Sequence, residues 1–312
     1  MDRYDVVIVG GGPAGLSAAL TLARARRHVL LLDGDKPRNG PSHAAHNFFT
    51  CDGEHPMELR RIGREQLSAY STVRISAGEI VGVEGRDGAF RLRFVDGTEI
   101  EARKVILATG VRDILPKIEG VQRLLGTSMF ACPYCDGWEF RDQPWAVLAA
   151  PPEALMYAAM LTNWTRDLVL LTNCVVDLDA ETAQGLDRLG VLIRTEPIAR
   201  LVSDEGDHLR RIVFATGDTL ERSVLFHRPR QEPRSALAEQ LGCELVESPI
   251  PGLIRVDAMQ QTSVPGVFAA GDVTTPMQQI AIAVSTGSAA GAMINHHLVE
   301  EMLAAPVRAV ER

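Results

Sequence analysis

Val6-Val7-Ile8-Val9 is an unbroken β-branched run, the pattern of a strand buried on both faces of a parallel sheet, where neither side is left for polar residues. Gly10-Gly11-Gly12-Pro13-Ala14-Gly15 ends it, and Leu16 to Arg26 then predicts a helix with small residues at Ala18, Ala19 and Ala23. A second apolar run, His28 to Leu32, ends in Asp33. Further buried strands are predicted at Ile106-Leu107, Ala146-Val147-Leu148, Leu168 to Leu171 and within Val264 to Ala270. Gln278 to His297 reads as a long helix with small residues at Ala281, Ala283, Gly287, Ala289, Ala290 and Gly291. Asp96-Gly97-Thr98 and the segment Phe214 to Leu220 read as hairpin turns.

Strand, glycine turn, helix, second strand and then an acid form the full context that gives Gly-x-Gly-x-x-Gly its meaning. Gly10 permits the tight turn, Gly12 lets backbone approach a pyrophosphate, and Gly15 lets the helix pack on the strand. The helix N-terminus offers free N–H groups to phosphate, and Asp33 would accept hydrogen bonds from ribose hydroxyls. Near the other end, Gly271-Asp272 follows an apolar strand; the glycine permits close backbone approach, and the aspartate could bond a polar ribityl chain. The helix after it could point its positive end at a flavin ring that gains negative charge.

The 312 residues are 46% hydrophobic, enough for one or two cores of ordinary domain size. A formal charge of -8, with Lys and Arg scattered, argues against nucleic acid or an anionic membrane as partner. No apolar run approaches the roughly 20 residues of a membrane span. The N-terminus runs almost directly into a strand, leaving no room for a signal peptide, so the expected compartment is the cytoplasm.

Of five cysteines, two stand as Cys132-Pro133-Tyr134-Cys135. That spacing lets two sulfurs close a disulfide reversibly, one thiol existing partly as thiolate. It could also be half a zinc site, but Cys51, Cys174 and Cys243 each lack a cysteine or histidine partner at finger-like spacing. Asp136 puts a titratable group beside the sulfurs that could hand a proton to a departing thiolate.

The glycine fingerprint, Ala108-Thr109-Gly110, Cys132 to Cys135 and Gly271-Asp272, in this order and at these separations, resemble the low-molecular-weight thioredoxin reductases over nearly the whole chain. The resemblance implies an α/β fold of two Rossmann-like, three-layer domains and a homodimer. A discontinuous FAD domain would span 1–114 and 249–312, with an insert, 115–248, carrying the cysteine pair and normally binding NADPH. It implies that Gly10, Gly12, Pro13, Ala14, Gly15 and Asp33 hold the FAD pyrophosphate and ribose, and that the backbone of Ile80 reaches the adenine. Asn47 would lie beside the flavin, with Gly271, Asp272, Gln279, Ile280 and Ala281 around the ribityl chain and ring edge. Cys135 would exchange electrons with FAD and Cys132 with the partner's disulfide, Asp136 serving as acid and base.

The insert departs from that pattern. After Ala146-Val147-Leu148 comes Ala149-Ala150-Pro151-Pro152-Glu153, where alanine replaces the turn glycine, prolines lack the N–H groups a phosphate needs, and Glu153 adds a negative charge. After Leu168 to Leu171, where the family has a basic cluster for the 2′-phosphate, stand Thr172-Asn173-Cys174-Val175-Val176-Asp177. The reading is an FAD-dependent dithiol/disulfide oxidoreductase acting on a thioredoxin-like protein or small disulfide, with ferredoxin or oxygen in place of NADPH. The alternatives are an ordinary NADPH-dependent reductase, an oxygen-using dithiol oxidase and a non-catalytic FAD protein. Asp136 is the reductase-like choice, whereas Pro133-Tyr134 and Gly137-Trp138-Glu139 are similar to the dithiol oxidases, which usually carry histidine at the place of Asp136. Trp138 is expected in a core or interface, and Trp145 and Trp164 in the core of the insert. His43, His46, His55 and Cys51 fall in a polar loop, Arg38 to Pro56, in which a histidine is most simply a solvated one. The tail, Ala304 to Arg312, is expected to fray.

Overall fold

The computed structural model describes residues 2–149, 153–173, 178–248 and 250–304. The chain forms two compact units, one of Met1–Arg38, Met57–Arg112 and Gln231–Arg312, the other of Asn39–Pro56 and Asp113–Arg230.

In the first unit the strands Val73–Ala77, Val29–Asp33, Arg3–Val9 and Glu99–Leu107 lie side by side in that order, all parallel, and Val267–Ala269 pairs in parallel with Glu99–Leu107. Val6, Val7, Ile8 and Leu31 are fully buried, as an all-apolar central strand requires. Ala89–Phe94 and Ile80–Arg86 extend the sheet antiparallel. The turn at Asp96-Gly97-Thr98 is the expected hairpin, closed by Phe94 N–H donating to Thr98 O at 2.9 Å.

The helix Pro13–Arg24 packs against the helix Ile280–Ala304 through small residues. A Cβ on Gly287 would fall 2.1 Å from the Ala14 carbonyl oxygen, and one on Gly291 2.9 Å from that of Ala18. The two backbones therefore come close enough to set Gly271 beside Ala14. The second helix begins at Ile280 rather than Gln278 and continues past His297 to Ala304, because Leu298 is a core residue and no breaker intervenes. Residues 305–312 of the expected tail lie outside the described residues.

The second unit holds a parallel five-stranded sheet in the order Leu192–Arg194, Leu168–Leu171, Trp145–Leu148, Val224–His227 and Met129–Phe130. Trp145 is fully buried, its ring centroid 4.6 Å from that of Phe226. A separate antiparallel sheet, Ile198–Ser203, Leu209–Phe214 and Thr219–Glu221, contains the second expected hairpin.

Two boundaries differ from the sequence expectation. The chain returns to the first unit at Gln231, not at 249, because Leu237, Ala238 and Cys243 are buried in the core cluster that holds Val83 and Val267. The Gln240 side chain also accepts from Val83 N–H and donates to Val81 O, both at 3.1 Å. The loop 39–56, expected in the FAD domain, groups with the second unit. There Gly126 packs directly on the Pro41 carbonyl, and His46 faces Glu139.

Candidate active site

The strand Met129–Phe130 delivers Ala131 and Cys132 to the C-terminal edge of the second unit's parallel sheet, where ligands of open α/β sheets bind. Cys132 and Cys135 are joined by a disulfide, and Pro133–Asp136 forms one helical turn after Cys132. The turn is braced from below. The Tyr157 hydroxyl donates to Ala131 O at 2.9 Å, and the Trp164 ring meets Tyr134 edge-on at 5.5 Å. A Cβ on Gly137 would lie 2.5 Å from Pro133 O and 3.0 Å from Trp164, so glycine there lets the indole press on the turn. Trp164 is thus a half-buried buttress of the disulfide turn as well as a neighbour of the core. Trp138, expected in a core or interface, is 65% exposed, with the Arg141 guanidinium 4.1 Å from its ring centre. Tyr157 escaped sequence reading because an apolar helical tyrosine carries no sign of its hydrogen bond.

Asp136 is the electrostatic centre of this turn. Burial pushes its carboxyl up to about 7, with His46 favouring the charged form and Glu139 opposing it. Such a group can both give and take a proton near neutrality. The folded chain therefore holds a proton that the unfolded chain loses near 3.8, and stability falls as pH rises from 3.8 to about 7. Asp136→Asn removes that cost. Its melting temperature is expected to match the parent's in acid and to exceed it by a few degrees above neutrality, which thermal unfolding across pH would read; an equal offset at every pH would contradict the assignment.

In the first unit the glycine turn has the shape a pyrophosphate requires. Gly10 has φ +120°, and a Cβ there would lie 2.1 Å from Ala108 O. A Cβ on Gly15 would lie 1.8 Å from Gly10 O, whereas one on Gly12 would meet nothing within 4 Å. Gly10 and Gly15 are thus fixed by the protein's own packing, and Gly12 alone borders open space at the N-terminus of the helix that Pro13 and Ala14 begin. Asp33 is buried at the end of its strand. Burial alone would raise its carboxyl, but the Asp35 N–H and the guanidinium groups of Arg64 and Arg60 hold it below the ordinary range, ionised and able to accept from a ribose. The Arg60 contact measures 2.8 Å. Neither arginine was foreseen, since basic residues on an amphipathic helix normally face water.

Ala108 N–H donates to Val9 O at 2.9 Å, placing Ala108-Thr109-Gly110 beside the fingerprint turn. Ile80 packs in the core cluster that contains Val9 and Leu32. Gly271, at φ +79°, donates its N–H to the Thr286 hydroxyl at 3.0 Å, and Asp272 lies 3.4 Å from the Arg38 guanidinium. Arg38 also donates to Gln278 Oε1 at 2.6 Å. Gln279, Ile280 and Ala281 form the entry to the long helix, with Ala281 exposed. Asn47 is exposed in the loop of the second unit, at φ 60°, its N–H held by Asp52 at 2.7 Å.

The insert's own nucleotide edge is different. Ala150, Pro151, Pro152 and Cys174 to Asp177 lie outside the described residues. Glu153 is exposed at the N-cap of Ala154–Leu161, where its carboxylate stands at the helix end a phosphate would approach. The Asn173 side chain accepts from Ile198 N–H at 2.7 Å. The nearest cation on the neighbouring strand, Arg194, is spent on Glu196 at 2.7 and 2.8 Å and stacks 4.2 Å over Phe214.

The sequence profile of the pyridine nucleotide-disulphide oxidoreductases matches residues 4–287. Thioredoxin reductase sirT of Leptosphaeria maculans is 32% identical over 318 residues, 97% of this chain and 96% of its own. Thioredoxin reductase tcpT of Claviceps purpurea is 33% identical over 309 residues, 96% and 95% of the two chains. The crystal structure of HlmI superposes with a TM-score of 0.91 at 40% identity, over 97% of this chain and 94% of that one. An oxidoreductase from Agrobacterium tumefaciens gives 0.90 at 36%, over 96% and 99%. Among the described residues no helix is long and apolar enough to cross a membrane.

Proposed function

Because the chain belongs to the pyridine nucleotide-disulphide oxidoreductase family, in its thioredoxin reductase-like branch, we infer that it passes electrons between FAD and a dithiol/disulfide substrate without using NADPH. It is an FAD-dependent disulfide oxidoreductase. The reading takes it as a cytoplasmic homodimer acting on a thioredoxin-like protein or a small disulfide, with a ferredoxin or oxygen as the second redox partner. The observation that carries it is the insert's sheet edge: an exposed Glu153 at the helix end and an Arg194 already neutralised by Glu196.

Gly10, Gly12, Pro13, Ala14, Gly15 and Asp33 would hold the FAD pyrophosphate and ribose, and Ile80 the adenine. Ala108, Thr109, Gly110, Gly271, Asp272, Gln279, Ile280 and Ala281 would line the rest, with Asn47 at the flavin. FAD, when bound, supplies a two-electron reservoir for the cysteine pair. At the pair itself, the Cys132 thiolate attacks a substrate disulfide and forms a mixed disulfide. The substrate's departing thiolate takes the Asp136 proton. Cys135 then attacks Cys132 and releases the second substrate thiolate, closing the protein disulfide.

Trapping tests these roles. In a Cys51→Ser background, reduced Cys135→Ser is expected to hold a small aromatic disulfide as a stable adduct, releasing one thiol where the parent releases two. Cys132→Ser should form the adduct far more slowly. Intact mass and released thiol are the readouts, and a stable adduct on the Cys132 variant instead would invert the assignment.

A further inference from the structure

The helix Pro56–Ser68 turns one stripe inward, and that stripe carries charge. Arg60, Gly63, Arg64 and Leu67 follow one another at helical spacing. Leu67 is 1% exposed in the core, Arg60 is 4% exposed, and a Cβ on Gly63 would lie 3.2 Å from Leu16 Cδ1 on the fingerprint helix. Arg61, between them, points outward and pairs with Glu58 and Glu65. Both inward arginines end on one atom. Asp33 Oδ2 accepts from Arg60 Nη2 at 2.8 Å and from Arg64 Nη2, and it lies so close over the glycine turn that a Cβ on Gly11 would come within 2.1 Å of it. Asp33 Oδ1 accepts the Asp35 N–H at 2.8 Å. Each carboxylate oxygen has two acceptor positions. Among the described residues Oδ2 is therefore full, and Oδ1 keeps one position open. Arg60 is itself fixed from the far side by Asp35 Oδ1, at 3.0 Å.

Folding alone does not call for this arrangement. The Nε atoms of Arg60 and Arg64 are buried without a hydrogen-bond partner among the described residues. Such burial carries a desolvation cost that an apolar pair on the same stripe would not. What the two arginines do accomplish is to fix the direction of a carboxylate. Resting on the FAD placement above, we propose that Arg60 and Arg64 are positioning residues for the adenosine end of the cofactor: by filling Asp33 Oδ2 they leave Oδ1 as the acceptor for a ribose hydroxyl, and so make the site distinguish FAD from an FAD that lacks those hydroxyls. Gly11 belongs to the same device, because a side chain there displaces Oδ2. Holding the acceptor in place before the ligand arrives removes an ordering cost from binding.

Flavin binding to the full chain tests this without any turnover. Protein stripped of flavin is titrated with FAD and with FAD whose adenosine ribose is 2′,3′-dideoxy, and flavin fluorescence gives the two affinities. The parent is expected to bind FAD roughly ten- to a hundredfold more tightly than the dideoxy form, the range of one hydrogen bond to a charged group. Arg60→Met should shrink that ratio several-fold, because the carboxylate, left to Arg64 alone, follows a side chain that is 39% exposed. A merely structural role for Arg60 would weaken both ligands together and leave the ratio where it was. If Arg60→Met does not fold, Gly11→Ala carries the same test: its backbone lies outside the left-handed region, and it displaces Oδ2 with both arginines in place. An unchanged ratio in the folded variant overturns the proposal. A parent that binds FAD no better than the dideoxy form takes the ribose away from Asp33 and overturns it too, whereas a parent that binds neither refutes the FAD placement itself.

Discussion

Gly12→Glu is expected to yield a folded but colourless protein. The fingerprint glycines Gly10, Gly12 and Gly15 are not equivalent: a Cβ at Gly10 or Gly15 collides with backbone at 2.1 and 1.8 Å, whereas one at Gly12 meets nothing within 4 Å. Folding therefore tolerates a side chain at Gly12. The pyrophosphate does not, because the new side chain takes its space and brings a carboxylate against two phosphate charges. At an effective dielectric near 20, each pair of unit charges about 4 Å apart costs roughly 4 kcal/mol. Two such pairs weaken binding by roughly six orders of magnitude. Flavin per chain, read from absorbance after gel filtration, should fall to zero with circular dichroism unchanged. Full flavin retention would refute the placement of FAD, and Gly15→Val, by contrast, should fail to fold.

How much of this could be read from the chain depends on how local each signal is. The fingerprint unit was legible because strand, turn and helix are contiguous, and each glycine has a backbone reason. The disulfide was legible in its spacing, and both hairpins in their turn residues. The loop 39–56 was not, because its partners, Gly126 and Glu139, are distant in sequence. His46 consequently read as one solvated histidine among three. Arg60 and Arg64 were hidden for the same reason: an arginine that neutralises a buried aspartate carries no mark distinguishing it from one facing water. The sequence reading put the return at 249, where the fold groups the chain with the first unit from Gln231, because the segment 231–248 has no long apolar run: Leu237, Ala238 and Cys243, with Leu241, Leu245 and the Gln240 side chain, tie it to the first unit.

A flavin that NADPH reduces extremely slowly or not at all is the second large effect expected. A dinucleotide site at the edge of the second unit's sheet needs N–H donors facing the phosphates and, for NADPH, a free cation. Glu153 stands at the first position, while Asn173 is committed to Ile198 and Arg194 to Glu196 at the second. Losing two charge-assisted contacts, at about 1.5 to 3 kcal/mol each, weakens binding by roughly two to four orders of magnitude. Glycine restored at Ala149 and Pro151 should not rescue it, since no free cation is restored with it.

Anaerobic rapid mixing of the purified flavoprotein with NADPH, followed by flavin absorbance, tests this most directly. The expected trace is flat over seconds at submillimolar NADPH, whereas a dithiol in the same apparatus bleaches the flavin. Bleaching by NADPH within seconds would contradict the account and return the chain to the NADPH-dependent reductases.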